Sequence, residues 1–174
     1  MKRSKKDLIL LIIFAVLATA INAFIIYHSC LNANQSTEAS SFVVDVFKNI
    51  INAFKANTIN DNNYGDFANV IRKLIGHFGL FVVSGVLSSL AFYYLLKPYK
   101  WYKHYFAIII SFVFGFIIAS ITEIIQLSVP GRSGEFTDVL IDSGGYLLGL
   151  GIASLILLLI LKNKQNAREN TNNQ

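Results

Sequence analysis

The chain has 174 residues, 54% of them hydrophobic and only 14% charged, with a mean hydropathy of +0.53. A soluble domain carries nearer a quarter charged residues, and one small water-soluble core cannot bury this much apolar surface, so the bilayer is the expected solvent. The net charge of +5 flanks apolar runs, which argues for membrane orientation over nucleic-acid binding, and the single cysteine, Cys30, excludes an internal disulfide.

Four runs reach the roughly 20 residues needed to cross about 30 Å of hydrocarbon. They cover 8–26, 74–96, 105–127 and 139–161. A spanning segment must satisfy its own backbone hydrogen bonds, and these runs lack the alternation of strands, so helices are expected. In the first run, "ATA" at 18–20 fits a small-x-small cleavage site. The apolar stretch continues through "INAFII" and is long enough to span, so retention as an anchor is expected. The second outer feature, 28–73, holds "SSFVVDVFKNIINAFKAN", in which Val43, Val46, Phe47, Ile50, Ile51 and Phe54 share one helical face. Asp45, Lys48, Asn49 and Asn52 lie largely opposite. Such a helix fits the outer membrane surface or a cover over the transmembrane helix ends. The following "NTINDNNYGD" is turn-forming, and "NKQNARENTNNQ" at the end reads as a disordered tail.

The distribution of Lys and Arg sets the orientation. Lys2, Arg3, Lys5, Lys6, Lys97, Lys100, Lys103, Lys162, Lys164 and Arg168 gather on one side. Lys48, Lys55, Arg72, Lys73 and Arg132 fall on the other, offset by Glu38, Asp45, Asp61, Asp66 and Glu135. Both termini and the "KPYKWYKH" loop are therefore expected in the cytoplasm of a multi-pass cell-membrane protein. The fold class is all-α and polytopic, with four transmembrane helices and an extracytoplasmic amphipathic helix in the first outer loop. Its parts are 1–27, the first helix with its basic start; 28–73, the outer loop; 74–161, a core of three transmembrane helices; and 162–174, the tail.

Polar residues converge at the outer ends of these helices. Glu123 and Gln126 are three apart and share one face, continued inward by Ala119 and Phe116. Pro130 and Gly131 favour a tight turn, "RSGEF" returns the chain to the surface, and Thr137 is the expected N-cap of the last helix. Asp138, Asp142, Gly145 and Gly149 form one stripe, acidic near the helix N-terminus and glycine below, where another helix can approach. The second helix presents His77, Phe81, Ser84 and Ser88, with Gly85 beside them. Each residue also has a plain structural use. Asp138 can be a helix-start residue, Gln126 a hydrogen-bonding bridge, His77 a packed histidine and Arg132 a loop cation. Glu123 and Asp142 are harder to dismiss, because intramembrane acids are rare and usually functional.

At these residues the sequence resembles the VanZ-like family. The resemblance rests on Glu123, Gln126, "PGRSG" at 130–134, Asp138, Asp142, Gly145 and Gly149, with "RKLIGHF" at 72–78 upstream. That upstream segment is one residue longer than the commoner "RKxxHF", and Phe81 stands where an aromatic is expected. The similarity covers about 70–155. It implies a small polytopic bacterial membrane protein; the family's namesake is associated with low-level teicoplanin resistance.

Three functions fit. In the first, an outer polar cluster of His77, Glu123, Gln126, Arg132, Asp138 and Asp142 binds an envelope lipid or lipid-linked cell-wall intermediate and lowers glycopeptide susceptibility. Arg132 would grip an anionic group and share the acidic cluster. In the second, an enzyme uses His77, Glu123 and Asp142 as acid/base groups or divalent-metal ligands, although no Ser or Cys nucleophile has a local signature. In the third, a proton-coupled transporter or flippase uses Glu123 and Asp142, for which four helices are few without a homo-oligomer. Membrane lipids are the expected partners and nucleic acid is not. No Cys/His pair has zinc spacing, and no metal or other cofactor is expected.

Overall fold

The computed structural model describes residues 3–99 and 104–172. Lys2, Lys100 and Lys103, used above for orientation, lie outside the described residues. Among those described there is no strand, and four helical stretches are long and apolar enough to cross a membrane: Lys5–Ser29, Tyr64–Leu96, Tyr105–Leu127 and Phe136–Asn163. The protein is an all-helical, multi-pass membrane protein.

The elements in chain order are α1 (Lys5–Ser29), α2 (Ala33–Phe54), α3 (Tyr64–Ile71), a π-helical segment (Arg72–Gly79), α4 (Leu80–Leu96), α5 (His104–Leu127) and α6 (Phe136–Asn172). The chain from Tyr64 to Leu96 is one continuous helical rod with a widened stretch in its upper part. Two starts follow from local capping. The Ser4 side chain accepts from the Asp7 N–H, and Asn32 forms a reciprocal capping box with Gln35. The last helix starts at Phe136, ahead of the expected Thr137 cap. Thr137 donates instead to the Glu135 side chain at 3.1 Å, and the Glu135 carbonyl accepts from the Asp138 N–H at 3.0 Å. That helix also continues through residues 162–172, where the sequence suggested a disordered tail. No Pro or Gly after Gly151 is present to stop it.

Within the bundle, α4 and α6 run parallel and touch through backbone. A Cβ added to Gly145 would run into the Phe78 carbonyl, one on Gly149 into the Val82 carbonyl, and one on Gly85 into the backbone of Tyr146. Hydrocarbon offers no hydrophobic force between helices, so this close approach, with its dispersion contacts, is what holds them. Gly115 on α5 lies under the ring of Tyr146, whose hydroxyl is 3.0 Å from Ser111 Oγ, itself 2.8 Å from Ser89 Oγ. On the other flank Asn22 of α1 donates to Ser88 Oγ at 3.3 Å and accepts from Ser84 Oγ at 2.9 Å. These buried hydroxyls and amides find partners across helices, as they must where water is absent.

α2 is split in its packing. Val43, Val44 and Phe47 pack on Ala68, Ile71, Tyr64 and Phe67 of α3, and the Tyr64 hydroxyl lies 3.0 Å from Asp45 Oδ1. The rest of its apolar arc, Phe42, Val46, Ile50 and Phe54, is exposed, Phe54 to 90%. Arg72 Nε donates to Ser40 Oγ at 3.0 Å, and the Ala33 N–H approaches the Pro130 carbonyl. α2 therefore sits at the end of the bundle that carries the 128–135 loop.

Candidate functional site

At that end four segments meet. Residues 128–135 turn back over α5 because the Arg132 N–H bonds the Val129 carbonyl at 3.2 Å across Pro130-Gly131. Gly131 has φ +76°, a left-handed value that glycine adopts without a Cβ penalty. Gly134 then lies so close to the Glu123 carbonyl that a Cβ there would collide with it. This fold-back delivers the Glu135 N–H to Glu123 Oε2 at 3.0 Å, while Gln126 Nε2 donates to Glu123 Oε1 at 3.1 Å. Glu123 and Gln126 are 5% and 3% exposed. Gln126 thus orients Glu123 on its own helix. Ala119 below is fully buried, but Phe116 is 41% exposed and leaves the stripe. Gly115 instead makes room for the Tyr146 ring.

The facing wall is a two-rung ladder between parallel helices. Lys73 Nζ bonds Asp138 Oδ1 at 2.5 Å and Glu135 Oε2 at 3.2 Å. Four residues on along both helices, His77 Nδ1 lies 3.2 Å and 3.5 Å from the two oxygens of Asp142. Asp142 is completely buried, and the His77 side chain is 19% exposed. One ligand atom each from His77, Glu123 and Asp142 lies within 4.8 Å of the others.

Arg132 occupies a different place from the one expected. Its guanidinium makes no ion pair with Glu123, Asp138 or Asp142; the shared cation is Lys73, which the sequence reading left out of the site. Arg132 Nη1 is buried without a hydrogen-bond partner. Burial lowers the pKa of Arg132 from its usual value, and the nearby charges of Glu123 and Asp138 oppose that shift. Glu135, on the open side, is held below the usual carboxylate range by its bond to Lys73. His28, near the end of α1, is a further neighbour within electrostatic reach of Arg132 and His77 that the sequence reading missed. Nothing in its spacing marked it, because it belongs to a helix whose match to the pattern is only general.

Glu123 also borders a pocket of about 240 Å³ opening sideways between α5 and α6, walled by Ser120, Ile124, Leu127, Phe136 and Val139. Ile124, Leu127 and Phe136 are 64–70% exposed, so the mouth of this pocket is apolar and leads to a buried acid.

A family model described as VanZ/LLP1 matches residues 10–159. The chain belongs to the VanZ/LLP1 family. The match takes in α1 and α2 as well as the core helices, a wider reach than the 70–155 of the motif resemblance. No curated protein and no solved structure matches the chain. For a VanZ/LLP1 chain with one residue more than the commoner "RKxxHF", the π-helical segment has a plain reading. It spans Arg72–Gly79, all of "RKLIGHF" and the glycine after it, and a π turn takes up one more residue than an α turn. Lys73 and His77 both face α6 from this segment, on Asp138 and Asp142.

Proposed function

We propose that this protein sits in the bacterial cell envelope with its polar cluster facing outward, binds the anionic headgroup of an envelope lipid or lipid-linked cell-wall intermediate there, and thereby lowers susceptibility to glycopeptides such as teicoplanin. The orientation follows from ten Lys and Arg on the side of the termini against five on the side of the cluster. The observation that carries the reading is Arg132. A guanidinium with a buried, unbonded Nη1 is costly to keep without an acceptor, and a phosphate or carboxylate oxygen supplies one bidentately. The apolar mouth between α5 and α6 gives the acyl part of a lipid a path alongside Glu123. In this orientation the exposed stripe of α2 rests on the outer membrane surface.

The test pairs Glu123→Gln with Arg132→Lys. Glu123→Gln keeps the shape and loses the acid; lysine cannot grip two oxygens in a plane. Both variants should reach parental abundance by immunoblot yet lose teicoplanin protection. Full protection at parental abundance removes both residues from the site, and lipid analysis of envelope intermediates with and without the protein identifies the ligand.

One observation favours catalysis as a second reading. His77 held by a buried Asp142 at 3.2 Å is a general base with an orienting carboxylate. Product formed from an envelope lipid by the purified protein supports it; binding without product supports the first reading.

A further inference from the structure

We infer that His77, Glu123 and Asp142 form a binding site for one divalent transition-metal ion, of the zinc or manganese class. The argument begins with the charges. Lys73 is committed to Asp138 and Glu135, and Arg132 makes no ion pair among the described residues. That leaves Glu123 and Asp142 as two buried carboxylates in a membrane-spanning bundle, with a ring nitrogen of His77 within 4.8 Å of an oxygen of each. An uncompensated carboxylate in such surroundings costs several kcal/mol. One divalent ion with a neutral imidazole balances both charges at once.

Hydrogen bonding points the same way. Asp142 is 0% exposed, and among the described residues its two oxygens share a single donor, the Nδ1 of His77, at 3.2 and 3.5 Å. An ionised carboxylate offers about four lone-pair sites, so this one is far from satisfied. Glu123 has one donor on each oxygen, which fixes the group in place and leaves a second lone pair free on each. Those donors, from Gln126 and the Glu135 backbone, come from outside the three residues and are what orients a metal-binding carboxylate.

The geometry is close to what an ion needs. Metal–ligand bonds of about 2.0–2.2 Å put ligand atoms roughly 3–4 Å apart around the ion. Here the three atoms lie within 4.8 Å of one another, so closing around an ion requires shifts on the order of 1 Å. One imidazole nitrogen with two carboxylate oxygens suits zinc or manganese better than calcium or magnesium, which favour all-oxygen shells. Three protein ligands leave at least one position open to an outside oxygen. The inference does not rest on the lipid reading, because metal uptake is measured without lipid.

The experiment uses the untagged full chain, purified in detergent and stripped with chelator, then titrated separately with Zn²⁺, Mn²⁺ and Mg²⁺. We expect one tightly held Zn²⁺ or Mn²⁺ per chain, a higher melting temperature when it is bound, and Mg²⁺ at least tenfold weaker. Glu123→Gln and Asp142→Asn should each weaken binding at least tenfold. Their metal-free melting temperatures show whether the fold survives; if either variant unfolds, His77→Gln serves as the third ligand variant. The wild-type protein is decisive by itself: less than half an equivalent bound and no metal-dependent rise in melting temperature overturn the site. Binding unchanged in folded ligand variants overturns it equally.

Discussion

Lys73 reaches across from the rod that carries α3 to clamp Asp138, at 2.5 Å, onto the start of α6. The Asp138 side chain is only 9% exposed, so removing the lysine strands a nearly buried acceptor. The Lys73 side chain is 41% exposed and solvent screens the pair, so Lys73→Met should cost about 1–2 kcal/mol, below the usual toll for a fully buried ion pair. Lys73→Arg should restore most of it. Glu135 adds a pH dependence. Its folded pKa is depressed by Lys73, so its contribution is present above the ordinary carboxylate pKa and fades as pH falls through the lowered value. Thermal melting in detergent at neutral pH and below about pH 4.5 should show this acid loss in the parent and less of it in Lys73→Met. Equal melting of parent and Lys73→Met at neutral pH rules out the clamp.

That clamp also shows where the sequence could be read and where it could not. Four spans were legible because length and hydropathy suffice, and Asp138, Asp142, Gly145 and Gly149 were legible as one stripe because helical spacing is regular. The partner of the acids was not. Arg132 lies in a loop whose path depends on the positive φ of Gly131 and the fold-back at Gly134, neither of which periodicity encodes. Lys73 lies in the π-helical segment, where ordinary helical spacing misjudges which residues share a face. The start of α6 at Phe136 was misread for a similar reason: Thr137 has the right chemistry for a cap, but Glu135 sits one position before the helix and its carbonyl opens it.

If the π-helical segment exists to absorb one extra residue, deleting that residue should be mild. Gly76 is exposed and has nothing within 4 Å of where a side chain would start. Its deletion gives "RKLIHF", turns the segment into regular helix, and removes a glycine that costs about 1 kcal/mol in a helix interior. The expected result is a melting temperature equal to the parent's or a few degrees higher, with Lys73 and His77 still facing α6. A large fall in folded yield would mean that the wide turn has a purpose of its own.

Glycines in α6 should divide sharply by position. Gly145→Leu and Gly149→Leu drive a side chain into the backbone of Phe78 and Val82, which cannot move aside as a flexible side chain would. Overpacking of this kind costs about 1–3 kcal/mol or more, and each variant should show reduced folded protein by size-exclusion chromatography in detergent. Gly151→Leu meets nothing within 4 Å and should accumulate like the parent. If all three behave alike, close backbone contact is not what joins α4 to α6.

The last prediction concerns the uncovered edge of α2. Phe42 and Phe54 are 77% and 90% exposed, on the same arc as Val46 and Ile50, while the adjacent Val44 is buried against α3. An arc this apolar would be unfavourable in water, at roughly 25 cal/mol per Å² of apolar area. Resting on the membrane interface would remove that cost, and packing on α3 through Val43, Val44 and Phe47 leaves this edge free to do so. The sole tryptophan, Trp101, can be replaced by Phe and a fluorescent reporter introduced by Phe54→Trp. In liposomes its emission should be shifted to the blue and quenched by lipids brominated near the headgroup, with less quenching from bromines deep in the acyl chains. The paired variant Phe42→Ser with Ile50→Ser should leave the folded yield unchanged, because neither residue lies in the α2–α3 contact, and should weaken the quenching of that reporter. A reporter that emits as in water and ignores both brominated lipids places this edge of α2 away from the bilayer.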